Sequence, residues 1–230
     1  MASITRHIPN TITCLNLFSG ILGVFAAYNE DYRLSMAFVF ASALFDFLDG
    51  FAARLLKAYS PMGKELDSLA DMVSFGLLPG VIAFRLMQPA AEEWFAAAPY
   101  FGLLVTVFSA LRLARFNIDD RQATSFLGLA VPANALFWVG LACSFESLMT
   151  EYFWAVPLIV AISCFLLVAP IPMFSLKIKS LRWSANRSRY IFLIGAVLLV
   201  VLFGIDALAF IILWYILVSV IGDTVPAKGR

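Results

Sequence analysis

Charge is scarce in this sequence. Lys, Arg, Asp and Glu supply 13% of the 230 residues, about half the share usual in a soluble domain. The hydrophobic share is 62%, which excludes an ordinary water-soluble fold and implies an all-α, polytopic membrane helix bundle. Histidine occurs once, as His7, just before the first apolar run, and reads as an interfacial side chain without a role. The three cysteines, Cys14, Cys143 and Cys164, lie far apart inside apolar runs. Their spacing excludes a zinc site or a disulfide framework and leaves packing thiols. There is no basic tract of the kind that binds nucleic acid. A net charge of +1 says little, because in a membrane protein the placement of charge matters more than its sum.

The apolar runs predict eight spans and one membrane-embedded domain over residues 1–230, with no soluble domain, linker or repeat. Arg6 and His7, a long apolar run and Phe25-Ala26-Ala27 imitate a secretory signal. Pro9-Asn10 instead suits the start of a retained helix. Further spans are expected over roughly 34–57, 66–87, 95–116, 126–145 and 152–170. Pro170 and Pro172 end the last of these. A basic loop with Lys177, Lys179, Arg182, Arg187 and Arg189 follows. The run 190–221 is too long for one span at 1.5 Å per residue, and Gly204-Ile205-Asp206 divides it. With the N-terminus inside, Arg33 and Arg85 are the basic residues on the outer half, leaving 14 of the 16 Lys and Arg on the inner half. The outer loops carry Glu30, Asp31, Glu92, Glu93, Glu146 and Glu151. That segregation meets the positive-inside rule and puts the inner ends of the helices on the cytoplasmic side; the expected location is the cell (inner) membrane.

Against this background the stretch Asp46–Asp71 stands out. An ionisable side chain at the centre of a membrane helix costs roughly 2.5–3.5 kcal/mol, yet four aspartates fall here. Asp46 and Asp49 are i and i+3 on the second span; Asp67 and Asp71 are i and i+4 on the third, so each pair shares a helix face. Arg54, Lys57, Ser60, Pro61, Gly63 and Lys64 form the turn between them, which makes the two helices antiparallel neighbours. The two pairs can converge near one surface. Carboxylates packed together repel unless a counter-charge is supplied. With no His or Cys in the stretch, oxygen ligands point to Mg²⁺ or Mn²⁺. Two such cations are a known device for displacement at phosphorus, so the substrate is expected to be a phosphate ester. An ion or proton carrier would also justify buried aspartates, but its carboxylates would be expected near the midplane on several helices.

Asp46, Asp49, Gly50, Ala53, Arg54, Gly63, Asp67 and Asp71 fill the pattern D-x2-D-G-x2-A-R-x8-G-x3-D-x3-D. In this the chain resembles the CDP-alcohol phosphotransferase family. The resemblance implies a membrane enzyme that displaces CMP from a CDP-linked donor with an alcohol, using two divalent cations. It implies metal ligation by Asp46, Asp49, Asp67 and Asp71, with Asp71 also the general base. Gly50, Ala53, Arg54 and Gly63 are then donor-binding positions. Members of the family are commonly homodimers.

Three further stretches resemble the branch of the family that uses serine: Asp71-Met-Val-Ser-Phe-Gly76, Arg112-Leu-Ala-Arg-Phe-Asn117 and Gly128-Leu-Ala-Val-Pro-Ala133. The donor expected from them is CDP-diacylglycerol, drawn from membrane lipid, and the acceptor L-serine. Ala130 stands where that branch usually has proline, and glycerol 3-phosphate, inositol phosphate and choline remain as alternative acceptors. Serine carries a carboxylate that needs a cation, and arginine binds such groups through paired hydrogen bonds. Arg112 and Arg115, ending the fourth span on the inner side, are the expected acceptor-binding residues.

Overall fold

In the computed structural model, residues 7–118, 126–175 and 183–224 are described. The expected Asp119–Arg121 loop and the basic positions Lys177, Lys179 and Arg182, like Arg6, lie outside them. The fold is an all-α polytopic membrane bundle. Among the described residues its long helices are α1 (His7–Tyr28), α2 (Tyr32–Leu55), α3 (Pro61–Leu86), α4 (Ala98–Ile118), α5 (Val131–Glu151), α6 (Phe153–Val168), α7 (Trp183–Phe203) and α8 (Ala207–Thr224).

Among the described residues, six helical stretches are long and apolar enough to cross a bilayer, and the sixth runs from Asn186 to Gly222. The turn Gly204–Asp206, with Gly204 at φ +59°, breaks that stretch into α7 and α8. Counting its two halves separately, and α6 as the shorter apolar helix, recovers the expected eight segments.

Local chemistry sets the helix ends. The Asp31 carboxylate caps α2 by accepting from Leu34 N at 3.1 Å. Ser60 Oγ caps α3 by accepting from Gly63 N at 3.0 Å, with Pro61 in the first turn where no N–H is needed. This start lies five residues earlier than the expected 66. Helix α5 starts at Val131 rather than near 126, because Phe126–Leu127 (β1) pairs antiparallel with Pro172–Met173 (β2). Gly128, at φ +78°, then turns the chain between the α6 carbonyls of Leu166 and Leu167, where a Cβ would collide.

Helix α3 is wound as a π-helix over Met72–Leu77. Pro79 follows at once, without an N–H to return to the Phe75 carbonyl and with a ring that crowds it, which widens the turn.

The core is built around α3. Its Phe75, Leu78 and Ile82 meet Val105 of α4, Val131 and Trp138 of α5, and Val160 and Leu167 of α6, all essentially inaccessible. Helix α1 lies across α2 and α3 with a stripe of small and polar residues turned inward: Thr13, Asn16, Ser19, Gly20 and Gly23. A Cβ on Gly20 would stand 2.2 Å from Ser74 Oγ, so the two backbones touch as small residues allow in membrane bundles. At the end where α1 finishes and α2 begins, Arg85 pairs with Glu30 and lies over the Tyr28 ring at 5.3 Å. The motif occupies the opposite end.

Candidate active site

The turn between α2 and α3 brings the two halves of the motif face to face. Carboxylate oxygens of Asp46, Asp49 and Asp67 all lie within 4.8 Å of one another. Asp49 is buried and the other two are half-buried. Asp49 Oδ2 accepts a hydrogen bond from Thr13 Oγ1 at 2.6 Å, which fixes one edge of the group to α1. Asp67 Oδ1 is buried with no hydrogen-bond partner. Three acceptor-only groups, one with an orphaned oxygen, suit a hard divalent cation, which takes oxygen ligands and neutralises them. The residues present therefore fit the metal ions that the spacing implies.

Asp71 stands one turn further along α3, outside that group of three. Its Oδ1 accepts from Asn16 Nδ2 at 3.2 Å. Asn16 is itself held from both sides. Its Oδ1 accepts from Ser74 Oγ at 2.8 Å, and its backbone carbonyl accepts from Ser42 Oγ at 3.2 Å. The bond from Ser74 orients the amide, turning the NH₂ toward Asp71. Helix α1 thus braces both halves of the motif, Thr13 for Asp49 and Asn16 for Asp71. Sequence reasoning missed both residues, together with Ser42 and Ser74. A usable signal was the spacing of Thr13, Asn16, Ser19, Gly20 and Gly23 on one helical face.

A cavity of about 540 Å³ opens beside the carboxylates, between α1, α2 and the start of α3. Asp49 and Asp67 form one wall; Asn10, Gly50, Ala53, Tyr59, Gly63 and Lys64 are among the rest. A Cβ on Gly50 would approach nothing nearer than Arg54 Nη1 at 3.6 Å, whereas one on Gly63 would strike Asn10 Oδ1 at 2.9 Å. Glycine at 63 keeps clear of the Asn10 and Ser60 side chains, whereas at 50 the missing side chain serves the cavity. Arg54 is exposed at the rim and does not line it. Lys64 Nζ donates to Asn117 O at 3.3 Å, and Asn117 Nδ2 donates to Ser68 Oγ at 2.8 Å, tying α3 to the end of α4.

The two arginines of α4 part company. Arg112 is buried, lies over the Phe116 ring at 4.8 Å, and keeps an Nε without a hydrogen-bond partner. Arg115 is exposed, and its Nη1 donates to Val168 O at 3.0 Å, closing the last turn of α6.

The profile of the CDP-alcohol phosphatidyltransferase family matches residues 6–222. Among curated relatives, the CDP-diacylglycerol–serine O-phosphatidyltransferase of Bacillus subtilis is 31% identical over 148 residues, 63% of this chain and 80% of that one. The enzyme of the same name from Mycobacterium leprae is 36% identical over 141 residues, 58% of this chain and 46% of its own length. That of Methanocaldococcus jannaschii is 34% identical over 133 residues, 58% of this chain and 59% of its own length. The match thus spans about half the length of several relatives and four-fifths of the Bacillus enzyme.

Proposed function

The chain belongs to the CDP-alcohol phosphatidyltransferase family, and on that premise we propose that it transfers the phosphatidyl group of CDP-diacylglycerol to L-serine, releasing CMP. The observation that carries this reading is the convergence of Asp46, Asp49 and Asp67 on one small volume beside a cavity large enough for a nucleotide. The names carried by the relatives support serine as the acceptor. The buried Arg112, with an unpaired donor, supports a carboxylate-bearing acceptor.

Asp46, Asp49 and Asp67 would hold divalent cations, Mg²⁺ or Mn²⁺, with Asp71 reaching one of them from its own turn. Bound there, the cations would grip the donor diphosphate and offset the charge that develops on it. The remaining work falls to the chain. Asp71 takes the proton of the serine hydroxyl as that oxygen bonds to the lipid-linked phosphorus and the bond from phosphorus to the CMP oxygen breaks in line. Asn16 occupies one oxygen of Asp71 and leaves the other to accept that proton. Gly50 and Ala53 let the donor approach the α2 backbone. Lys64, the cation lining the cavity, balances phosphate charge, and Arg54 screens the rim. Arg112 pairs with the serine carboxylate; Arg115 serves the fold by holding the end of α6.

The segregation of Lys and Arg supports a site facing the cytoplasm from the inner membrane, where a lipid donor and a soluble amino acid meet. A homodimer is proposed on family grounds alone. Purified protein incubated with CDP-diacylglycerol and, separately, L-serine, glycerol 3-phosphate, inositol phosphate or choline tests the reading through CMP release. The expected result is metal-dependent release with L-serine. Release with another alcohol and none with serine would overturn the acceptor, and metal-independent turnover would overturn the mechanism.

A further inference from the structure

Buried polar atoms without partners are uncommon and costly. Among the described residues, besides Asp67 Oδ1 in the motif and Arg85 Nε at the opposite end, Ser109 Oγ, Arg112 Nε and both amide atoms of Asn134 are in that condition. Ser109 and Asn134 are wholly inaccessible and Arg112 nearly so. Nothing in the motif calls for them, and Asn134 lies one turn into α5 among core residues where leucine would pack as well.

The packing registers place these groups at one depth. Helix α4 runs antiparallel to α3: Asn117 bonds Ser68, and Ser109 sits against Gly76, its Cβ 3.1 Å from where a Gly76 Cβ would be. Counting between those pairs sets Arg112 level with Val73, about 3 Å along the axis from Asp71 at 1.5 Å per residue. Helix α5 runs antiparallel to α2, with Cys143 Sγ donating to Tyr32 O at 3.0 Å. Moving an equal number of residues along each helix sets Asn134 level with Ala41, beside Ser42, whose hydroxyl bonds the Asn16 carbonyl. Asn16 is the partner of Asp71. Asp71, Arg112 and Asn134 therefore stand at one depth of the bundle, each on a different helix.

We propose that Asn134, with Arg112 and Ser109, is the acceptor-sorting subsite, and that it selects a small zwitterion over a purely anionic or purely cationic alcohol. This inference rests on the proposed reaction and goes beyond it in assigning the specificity. The orphaned atoms divide into two donors, Arg112 Nε and Asn134 Nδ2, and two acceptors, Asn134 Oδ1 and Ser109 Oγ. A carboxylate satisfies the donors; an ammonium satisfies the acceptors. A phosphate would leave Asn134 Oδ1 opposed to an anion, and a quaternary ammonium has no N–H to give and would leave the donors unmet. Discrimination of that kind is strong because a wrong ligand leaves buried groups unpaired.

The test is Asn134→Leu in the full chain. A residue kept for packing or internal bonding would lose stability on substitution; one kept for a ligand would not. The expected result is a ten- to hundredfold higher KM for L-serine, a KM for CDP-diacylglycerol within twofold of wild type, and an unfolding temperature unchanged or raised. Ser109→Ala is expected to raise the serine KM about threefold. A wild-type serine KM, or an unfolding temperature that falls in step with activity, would overturn the inference. Should the leucine variant not accumulate, Asn134→Asp is decisive. A carboxylate there repels that of serine and attracts an amine, so the ratio of ethanolamine to L-serine use should rise at least tenfold, and an unchanged ratio would overturn the proposal. If the wild-type chain uses serine and both variants behave as wild type, the inference alone fails. If the wild-type chain does not use serine, the proposed reaction fails with it.

Discussion

Helix α3 and the α7–α8 pair are both apolar enough to lie in a membrane, but they are built on opposite principles. In α3 the most apolar window has a mean hydropathy of 1.6 and is 56% buried within the protein; in the Asn186–Gly222 stretch the corresponding values are 2.9 and 17%. The more hydrophobic segment is the less buried. In a bilayer lipid is as apolar as leucine, so burial is not driven by hydrophobicity, and helices meet through small residues and hydrogen bonds. Helix α3 accordingly carries Gly76 and Gly80 against α4, Ser74 against α1, and Asp67 and Asp71 toward the site. Helices α7 and α8 turn Val197, Val201, Leu202 and Leu213 outward. They join the bundle where Ala209 lies against Gly140 of α5, and through Phe192 and Tyr215, whose rings pack around Phe174. The chemistry lies where the chain is least lipid-like.

The hardest blow to this contrast would come from the carboxylates. Asp46→Ala removes one of three groups whose oxygens lie within 4.8 Å and is expected to lower turnover about a thousandfold or more, since metal assistance is worth several kcal/mol. Mn²⁺ binding, followed by calorimetry, should weaken in parallel. Near-normal turnover would remove Asp46 from the ligand set. Asp71→Asn keeps the shape and the bond to Asn16 within reach while withdrawing the proton acceptor. Turnover should fall about a hundredfold or more, with donor affinity, measured by CDP-diacylglycerol titration, within a few-fold of wild type. Lost donor binding without a chemical defect would make Asp71 a ligand and not a base.

Those two variants concern residues that could be picked out before any coordinates, and the reason is periodicity. Asp46 with Asp49 and Asp67 with Asp71 share faces by helical spacing alone, and Ser60-Pro61 and Gly204 punctuate the chain by local chemistry. What escaped notice depends on non-local partners. Asn16 and Thr13 sit inside an apolar run, and neither shows from its neighbours that an aspartate more than thirty residues away will need it. Arg112 and Arg115 look alike in sequence; Arg112 lies deep enough to be buried, while Arg115, one turn nearer the helix end, is exposed and takes the Val168 carbonyl. The late start of α5 follows from pairing with Pro172–Met173, and the π turn from Pro79 acting inside a longer helix.

Asn16 offers a gentler test of the same contrast. Asn16→Ala frees Asp71 Oδ1 and leaves Ser74 without its amide partner, so kcat should fall about tenfold, with the KM for CDP-diacylglycerol little changed. In an Asp71→Asn background the same substitution should add almost nothing, because two residues acting through one carboxylate are not additive. A full tenfold loss in both backgrounds would mark Asn16 as a packing residue.

The smallest effect is also the most direct comparison, one methyl group added in each region. A Cβ at position 20 would lie 2.2 Å from Ser74 Oγ, and one at position 195 would lie 2.1 Å from Trp214 Nε1. At position 20 the new Cβ would also lie 2.8 Å from the Ser74 Cα, whereas at 195 the nearest atoms all belong to the Trp214 side chain; each variant should lose about 1–3 kcal/mol of stability to overpacking, read from unfolding in detergent. Their kinetics should differ. Gly20→Ala displaces Ser74, whose hydroxyl orients Asn16 and through it Asp71, so turnover should fall several-fold. Gly195→Ala parts α7 from α8 on the lipid-facing side and should leave turnover within twofold of wild type. Equal kinetic losses would mean that the outer pair is mechanically part of the site, and the division between the two regions would have to be redrawn.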